Sequence, residues 1–347
     1  MPRKIVVQHA VSPTFTAAGQ INLELSPKPY TITEMDILLK VTTTTSAAPG
    51  TAYDPWDRLI SSLSLSGKGK PYFNFGDMRV ARAASRFIAS SMPVPSPLAA
   101  SVAAGIRYYG YHFHFGLNPN DPFDLSAGIP PSSAGNLSLT GVWGADAFGG
   151  TGYSSTAAVM DVICHGVQAK EGESDAGIMP RAIPLWSHQV ITPSGTSSLF
   201  SSIANVPSGD FLHDIGVVSY LGTGQPRSSA MLGSIQLYNQ LQSQELFRTD
   251  TYRSAETAIQ GQYLKDHSRD WTTQILDGAL AFDTPAISNV DAGLMWIPVA
   301  EQTAGGPMGY GADLRNVSTG DLQVRYSVLS VTNVATLNLF FRKYQLL

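Results

Sequence analysis

The stretch ITEMDILLKV, residues 32–41, decides the fold because it is strand-like and has a counterpart later in the chain. Its β-branched and apolar residues favour extended structure. Its Asp36-Ile37 pair is matched by Asp214-Ile215, which opens the strand-like segment DIGVVSYL at 214–221. After each pair come a second strand, a helix, an Ile-Pro step and a final strand, in the same order. We therefore predict that the chain builds one β-fold twice.

Strand-like segments dominate the rest of the chain as well. Nine further segments are rich in β-branched and aromatic residues and are bounded by Gly, Pro, Asn or Ser, namely 21–25, 59–65, 111–115, 137–143, 157–167, 234–238, 293–300, 322–331 and 336–344. Only two segments, 77–90 and 248–264, place apolar residues at helical spacing. So many short strands predict an all-β sandwich or barrel in each half.

The halves meet at QAKEGESDAG, residues 168–177, which is polar and contains glycine, as linkers do. We therefore predict domains at 1–170 and 178–347, joined by a linker at 168–177. Each half is long enough for an eight-stranded jelly roll with long loops.

Composition restricts the function. Charged residues make up only 14% of the chain, below the usual quarter, and the net charge is −4. A dedicated nucleic-acid binder is normally basic, so we expect no sequence-specific nucleic-acid partner.

The single cysteine, Cys164, excludes a disulfide framework within the chain, which allows assembly in a reducing cytoplasm. In its apolar run, Cys164 is predicted to be a small buried hydrophobe.

The order of these elements resembles that of the double jelly-roll major capsid proteins of tailless icosahedral viruses, the lineage of PRD1 and adenovirus. The resemblance covers the whole chain and rests on layout and on local phrases. These phrases are DPFDLSAGIPPSSAGNLSLTGVWG (121–144), RAIPLWSHQV (181–190), NVPSGDFLHDIGVVSYL (205–221), GLMWIPVA (293–300) and GYGADLRNVSTGDLQVRYSV (309–328).

The resemblance implies an all-β fold of two tandem eight-stranded jelly rolls, each with a short helix in a loop between strands. It also implies a homotrimer with a hexagonal outline, because three chains bring six jelly rolls. Such trimers tile an icosahedral virion shell, over an internal membrane and beside minor capsid and vertex proteins. The expected location is therefore the virion capsid, after assembly in the host cytoplasm.

Both ends of the chain carry basic residues beside apolar ones, Arg3 and Lys4 at the start and Arg342 and Lys343 near the end. In a jelly roll the first and last strands are neighbours, so we expect both ends on the inner side of the shell. There the four charges would face the membrane or the interior, since basic residues are attracted to anionic lipid.

The stretch YYGYHFHFGL, residues 108–117, contains the one motif that we consider as a candidate metal-binding motif. Strand alternation puts His112 and His114 on one face and the aromatic residues on the other. The metal-dependent cupins, which are also jelly rolls, use such a pair with a Glu four or five residues later. In this chain the positions four and five residues after His114 hold Asn118 and Pro119 instead of Glu. A metal site needs at least three protein ligands, so we expect no metal and keep His112 and His114 as the candidate ligands.

No catalytic signature accompanies this pair. The chain has no G-x-S-x-G elbow and no nucleotide-binding glycine loop, and SGKGKP at 66–71 is predicted to be a hairpin turn. We therefore expect a structural protein without enzymatic activity, cofactor or catalytic residue. Two alternatives stay open: a cupin-like metal-dependent enzyme, and a carbohydrate-binding or spike protein with Trp56 and Trp271 as exposed aromatics.

Overall fold

The computed structural model describes most of the chain, with gaps in several loops. The described residues are 2–9, 12–25, 29–45, 56–67, 69–88, 105–121, 123–131, 137–145, 153–170, 174–220, 228–263, 293–302, 309–331 and 335–347. They form two compact units: the first contains the described residues up to Pro184 together with Leu347, and the second contains those from Leu185 to Leu346. The domain limits 1–170 and 178–347 and the linker 168–177 stay predictions.

Among its described residues, the first unit has eight strands of at least six residues and one α-helix. The strands are β1 (Arg3–Gln8), β2 (Gln20–Leu25), β3 (Tyr30–Thr45), β4 (Ile60–Gly67), β5 (Lys70–Phe75), β6 (Gly105–His114), β7 (Leu137–Trp143) and β8 (Tyr153–Gln168), and a short β9 (Ala182–Pro184) follows. Helix α1 (Met78–Ile88) lies between β5 and β6. One sheet has the order β1-β8-β3-β6 and the other the order β2-β7-β4-β5, with antiparallel neighbours throughout. This is the strand order of a jelly roll.

The second unit repeats this order. Its elements are β10 (Ser187–Ile191), β11 (Ser202–Asn205), β12 (Phe211–Tyr220), β13 (Leu232–Asn239), β14 (Gln244–Thr249), α2 (Tyr252–Tyr263), β15 (Leu294–Ile297), α3 (Val299–Gln302), β16 (Ala312–Asp313), β17 (Leu322–Val328) and β18 (Thr336–Leu346). The sheets are β10-β18-β12-β15 and β11-β17-β13-β14. Helix α2 stands between the fifth and sixth strands, as α1 does in the first unit. The predicted fold class, two eight-stranded jelly rolls each with a helix between strands, is confirmed.

Aromatic side chains fill the core of the first unit because alternation directs them inward. Tyr111 and Phe115 are fully buried, and Phe113 packs against Phe73 and stacks on Phe75, with ring centroids 5.2 and 5.3 Å apart. In the second unit both faces of β12 are buried, and a Cβ on its Gly216 would lie only 2.7 Å from the Trp296 ring. Glycine is required there because the indole packs directly on the strand.

Several predicted segments differ in detail from the structure. The segment 293–300 is not one strand, because β15 ends at Ile297 and α3 begins at Val299. The SGKGKP segment is a hairpin turn as predicted, since β4 pairs with β5 and Gly69 has a positive φ of 75°. Of the two aromatics considered for sugar binding, Trp271 and the side chain of Trp56 lie outside the described residues.

Candidate functional site

The predicted alternation in β6 is confirmed. Tyr111, Phe113 and Phe115 are buried in the core, and His112 and His114 lie on the opposite side of the strand. His112 is half-buried, whereas only 1% of His114 is exposed. The two imidazoles therefore lie on the outer face of the β1-β8-β3-β6 sheet, and one of them is closed off from solvent.

Strand register brings acidic residues to these histidines. The pairing of β3 with β6 sets Glu34 opposite His114 and Asp36 opposite His112. On the other side of β3, the pairing with β8 sets His165 opposite Glu34. We call these five residues the acid–histidine cluster. Neither the register nor the cluster could be derived from local sequence, because its members are separated by up to 131 positions.

Asp36 lies between two imidazoles. Its Oδ1 is 2.5 Å from Nδ1 of His112, and its Oδ2 is 2.6 Å from Nε2 of His165. Burial alone would raise the pKa of Asp36, but the hydrogen bonds from the two histidines outweigh burial and hold the pKa well below its usual range. Asp36 is therefore a carboxylate that fixes the orientation of both rings.

Glu34 and Asp124 flank His114 in a similar way. Nδ1 of His114 is 3.6 Å from Oε1 of Glu34, and Nε2 is 3.8 Å from Oδ2 of Asp124. The nearby His114, together with Lys4 at 3.5 Å, lowers the pKa of Glu34 to about 2 although burial opposes this. Asp124 also accepts hydrogen bonds from the backbone N–H groups of Asn118 and Ser126. Both carboxyl groups are therefore ionised around His114.

The cluster has the chemistry of a cation site. One donor atom each from Glu34, His112 and His114 lies within 4.8 Å of the other two. Sequence reasoning found the two histidines but not Glu34, because the third group comes from a neighbouring strand. The only local signal was the strand pattern of 32–41, which places Glu34 and Asp36 on one face.

The basic residues near the two ends of the chain differ in their surroundings. On β1, Arg3 donates to the side chain of Gln168 at 2.9 Å, and Lys4 pairs with Glu34. On β18, by contrast, Arg342 and Lys343 are buried at 5% and 7% exposure. The expectation that these two side chains face a membrane is therefore corrected.

The reason for this burial is that β18 is a central strand of its sheet. Arg342 donates to Asp214 at 3.1 Å and to the Tyr344 hydroxyl at 2.7 Å, and Lys343 donates to the Ser208 carbonyl at 2.8 Å. Both positive charges therefore interact with polar groups inside the second unit. The side of a shell that the two ends face stays a prediction.

Cys164 is buried, as predicted. Its Sγ lies 3.6 Å from Nε2 of His9. Burial, with a smaller effect from Asp36, raises the pKa of the thiol to about 12, so the thiolate needed for nucleophilic chemistry is scarce at neutral pH. In the part of the chain that the structure describes, no helix is long and apolar enough to cross a bilayer.

Comparison with known proteins supports the fold. No protein-family model matches the chain, and no curated protein sequence does. Solved structures do match. The chain is similar to the major capsid protein of Sulfolobus turreted icosahedral virus (12% identity, TM-score 0.68, 99% of this chain and 97% of that chain). It is also similar to the major capsid protein of bacteriophage PM2 (9%, 0.57, 99% and 98%) and to that of Faustovirus (10%, 0.56, 100% and 90%). At these identities the likeness shows the fold, which is the double jelly roll.

Proposed function

We propose that the chain is a viral major capsid protein, a structural subunit that forms trimers and tiles an icosahedral shell. One observation carries the proposal. Two complete jelly rolls with the same strand order and the same helix position occur in one chain, and the match to major capsid proteins extends over at least 99% of it. Three such chains bring six similar units together, which suits a capsomer with a hexagonal outline.

The surface of the first unit supports contact with other copies. Both edge strands of the β1-β8-β3-β6 sheet expose apolar side chains on the outer face: 60% of Val6 on β1, and 48% of Ile106 and 55% of Tyr108 on β6. Interfaces between subunits are depleted in charge and enriched in aromatic residues. With 14% charged residues in the whole chain, such a surface fits contact with another copy better than contact with water.

We assign the chain a structural role without catalysis, located in the virion and assembled in the host cytoplasm. Further partners would be minor capsid and vertex proteins and an internal lipid membrane. After the correction for Arg342 and Lys343, the membrane contact rests on Arg3 and Lys4 of β1. These two residues are exposed and lie at the edge of the sheet, where an anionic headgroup can approach.

The test is the molar mass of the purified full-length chain, measured by light scattering after size exclusion. We expect three times the chain mass. Tyr108→Asp places a charge on the apolar outer face and should shift the protein toward monomer. Leu241→Asp, a matched change at a 67% exposed leucine between β13 and β14, should leave the trimer intact. A wild-type monomer at high micromolar concentration contradicts the proposal.

A further inference from the structure

We propose that Glu34, His112 and His114 bind a divalent transition-metal ion, with Zn²⁺ as the preferred ion. The inference is independent of the proposed function, because a shell subunit requires no metal. It revises the expectation from sequence, in which the H-x-H pair lacked a third ligand. Glu34 of β3 supplies that ligand across the sheet, directly opposite His114.

The separation of the donor atoms suits a small ion. Oε1 of Glu34 and Nδ1 of His114 are 3.6 Å apart. Two ligands of a tetrahedral zinc ion at 2.0–2.1 Å are about 3.3–3.4 Å from each other. His112 stands two residues before His114 on the same face of β6, and its donor lies within 4.8 Å of the other two. Small side-chain rotations would complete a three-residue site with one further position for water.

Each imidazole has a carboxylate near its other nitrogen, at hydrogen-bond distance for His112 and at 3.8 Å for His114. Asp36 holds Nδ1 of His112 at 2.5 Å, so Nε2 is the nitrogen that would bind the ion. Asp124 stands 3.8 Å from Nε2 of His114, so Nδ1, the nitrogen nearer Glu34, would bind it. Histidine ligands of metals commonly have such a carboxylate partner, which fixes the ring and makes it a better donor.

The charge of the surroundings favours a divalent cation. Three carboxylates, those of Glu34, Asp36 and Asp124, converge on this face, and Lys4 brings the positive charge that pairs with Glu34. Histidines must be neutral to bind metal. With neutral imidazoles the named groups carry two net negative charges, which one divalent ion cancels.

The types of ligand indicate which ion would bind, and the burial of the ligands indicates whether the site is structural or catalytic. Two imidazoles and one carboxylate suit zinc and related transition metals, whereas calcium and magnesium prefer oxygen ligands. His114 and Glu34 are only 1% and 8% exposed, so no substrate of ordinary size could reach the ion. The site is therefore structural, and it would fasten the edge strand β6 to β3.

Metal binding to the full-length chain tests the inference. The protein is stripped with a chelator, dialysed and titrated with Zn²⁺ alone in a calorimeter, and bound metal is counted by elemental analysis. We expect one Zn²⁺ per chain and a rise in melting temperature. Glu34→Gln and His112→Gln should each weaken binding at least tenfold. His188→Gln, which changes a histidine of the second unit bonded to Asn338, is the matched control and should bind as the wild type does.

Two results would overturn the inference. One is less than about 0.2 equivalents of bound Zn²⁺ in the wild type at 100 µM Zn²⁺, and the other is wild-type affinity in both Glu34→Gln and His112→Gln. If either variant fails to fold, X-ray absorption of the zinc-loaded wild type decides the question. Scattering from two imidazoles around the zinc supports the site, and a shell of oxygen atoms alone refutes it.

Discussion

Arg82 of α1 forms a buried ion pair, and we predict that removing this pair causes a large loss of stability in the first unit. Its Nη1 lies 3.0 Å from Oδ2 of Asp57, and the two side chains are 2% and 0% exposed. Arg82 also donates to the Tyr109 hydroxyl, and the Tyr111 hydroxyl donates to Asp57 at 2.9 Å. The network connects the helix, the short turn before β4 and strand β6. It therefore fixes the position of α1 on the first jelly roll.

The change Arg82→Leu leaves the Asp57 carboxylate buried without its cation. Breaking a buried pair from one side lowers the free energy of unfolding by about 3–5 kcal/mol, because the remaining charge stays desolvated. For a unit of this size each kcal/mol shifts the melting temperature by about 2–4 °C, so we expect a loss of roughly 6–20 °C. Arg79→Leu is the matched control on the same helix. Its pair with Asp77 is 19% exposed on each side and contributes about 1 kcal/mol or less.

Urea unfolding followed by circular dichroism measures both variants, and hydrogen exchange of peptides from α1 and β6 locates the loss. The two units can unfold in separate transitions, so the curves are fitted with two steps. We expect Arg82→Leu to shift only the transition of the first unit. The reasoning is refuted if Arg82→Leu and Arg79→Leu differ by less than about 1 kcal/mol, since burial would then have no effect on the ion pair.

Three further predictions concern other buried groups. Burial alone would raise the pKa of Asp214, but its neighbours His213 and Arg342 hold that pKa below the usual value. The ionised Asp214 carboxylate therefore stabilises the folded state above the unfolded pKa of about 3.9, and this stabilisation is lost as the pH falls further. The destabilisation by Asp214→Asn in urea unfolding should therefore shrink between pH 5 and pH 3, and an unchanged difference contradicts this. Gly216→Ala should lower the free energy of unfolding by about 1–3 kcal/mol because its methyl group meets Trp296, while Gly195→Ala, with open space around it, should melt as the wild type does. Cys164, with a thiol pKa of about 12, should react with a thiol reagent at pH 8 at least about 100-fold more slowly in the native than in the urea-unfolded chain, and equal rates would show an accessible thiol.

The central strands and the helices α1 and α2 could be predicted from the sequence, because buried residues impose a clear period, whereas the four-residue helix α3 could not. Seven of the described strands were missed. Five of them, β1, β5, β10, β11 and β14, lie at sheet edges, and the other two, β9 and β16, contain only three and two residues. Edge strands have one neighbour, and most of these are partly exposed, so their apolar pattern is weak; β5, which buries Tyr72, Phe73 and Phe75, is the exception. β1 and β14, for example, contain no buried residue. Their place in the fold follows from pairing with a central strand, which local sequence does not encode.

The candidate site was predicted only in part for a related reason. His112 and His114 are two residues apart, so alternation alone places them together. Glu34, Asp36 and His165 join them through strand register, which depends on the whole sheet. The same long-range effect made the prediction for Arg342 wrong.

At the sequence level Arg342 belongs to a basic end of the chain. In the folded unit it is paired with Asp214 of β12, directly across the strands. A charge near a chain end is therefore not always on the surface, because the last strand of a jelly roll can be a central one.

Cryo-electron microscopy of the purified full-length chain tests the capsid assignment most directly. We expect particles with threefold symmetry and a hexagonal outline, in which each chain contributes two jelly rolls and the map shows six. Particles that contain one chain, or an oligomer without a threefold axis, would contradict the assignment.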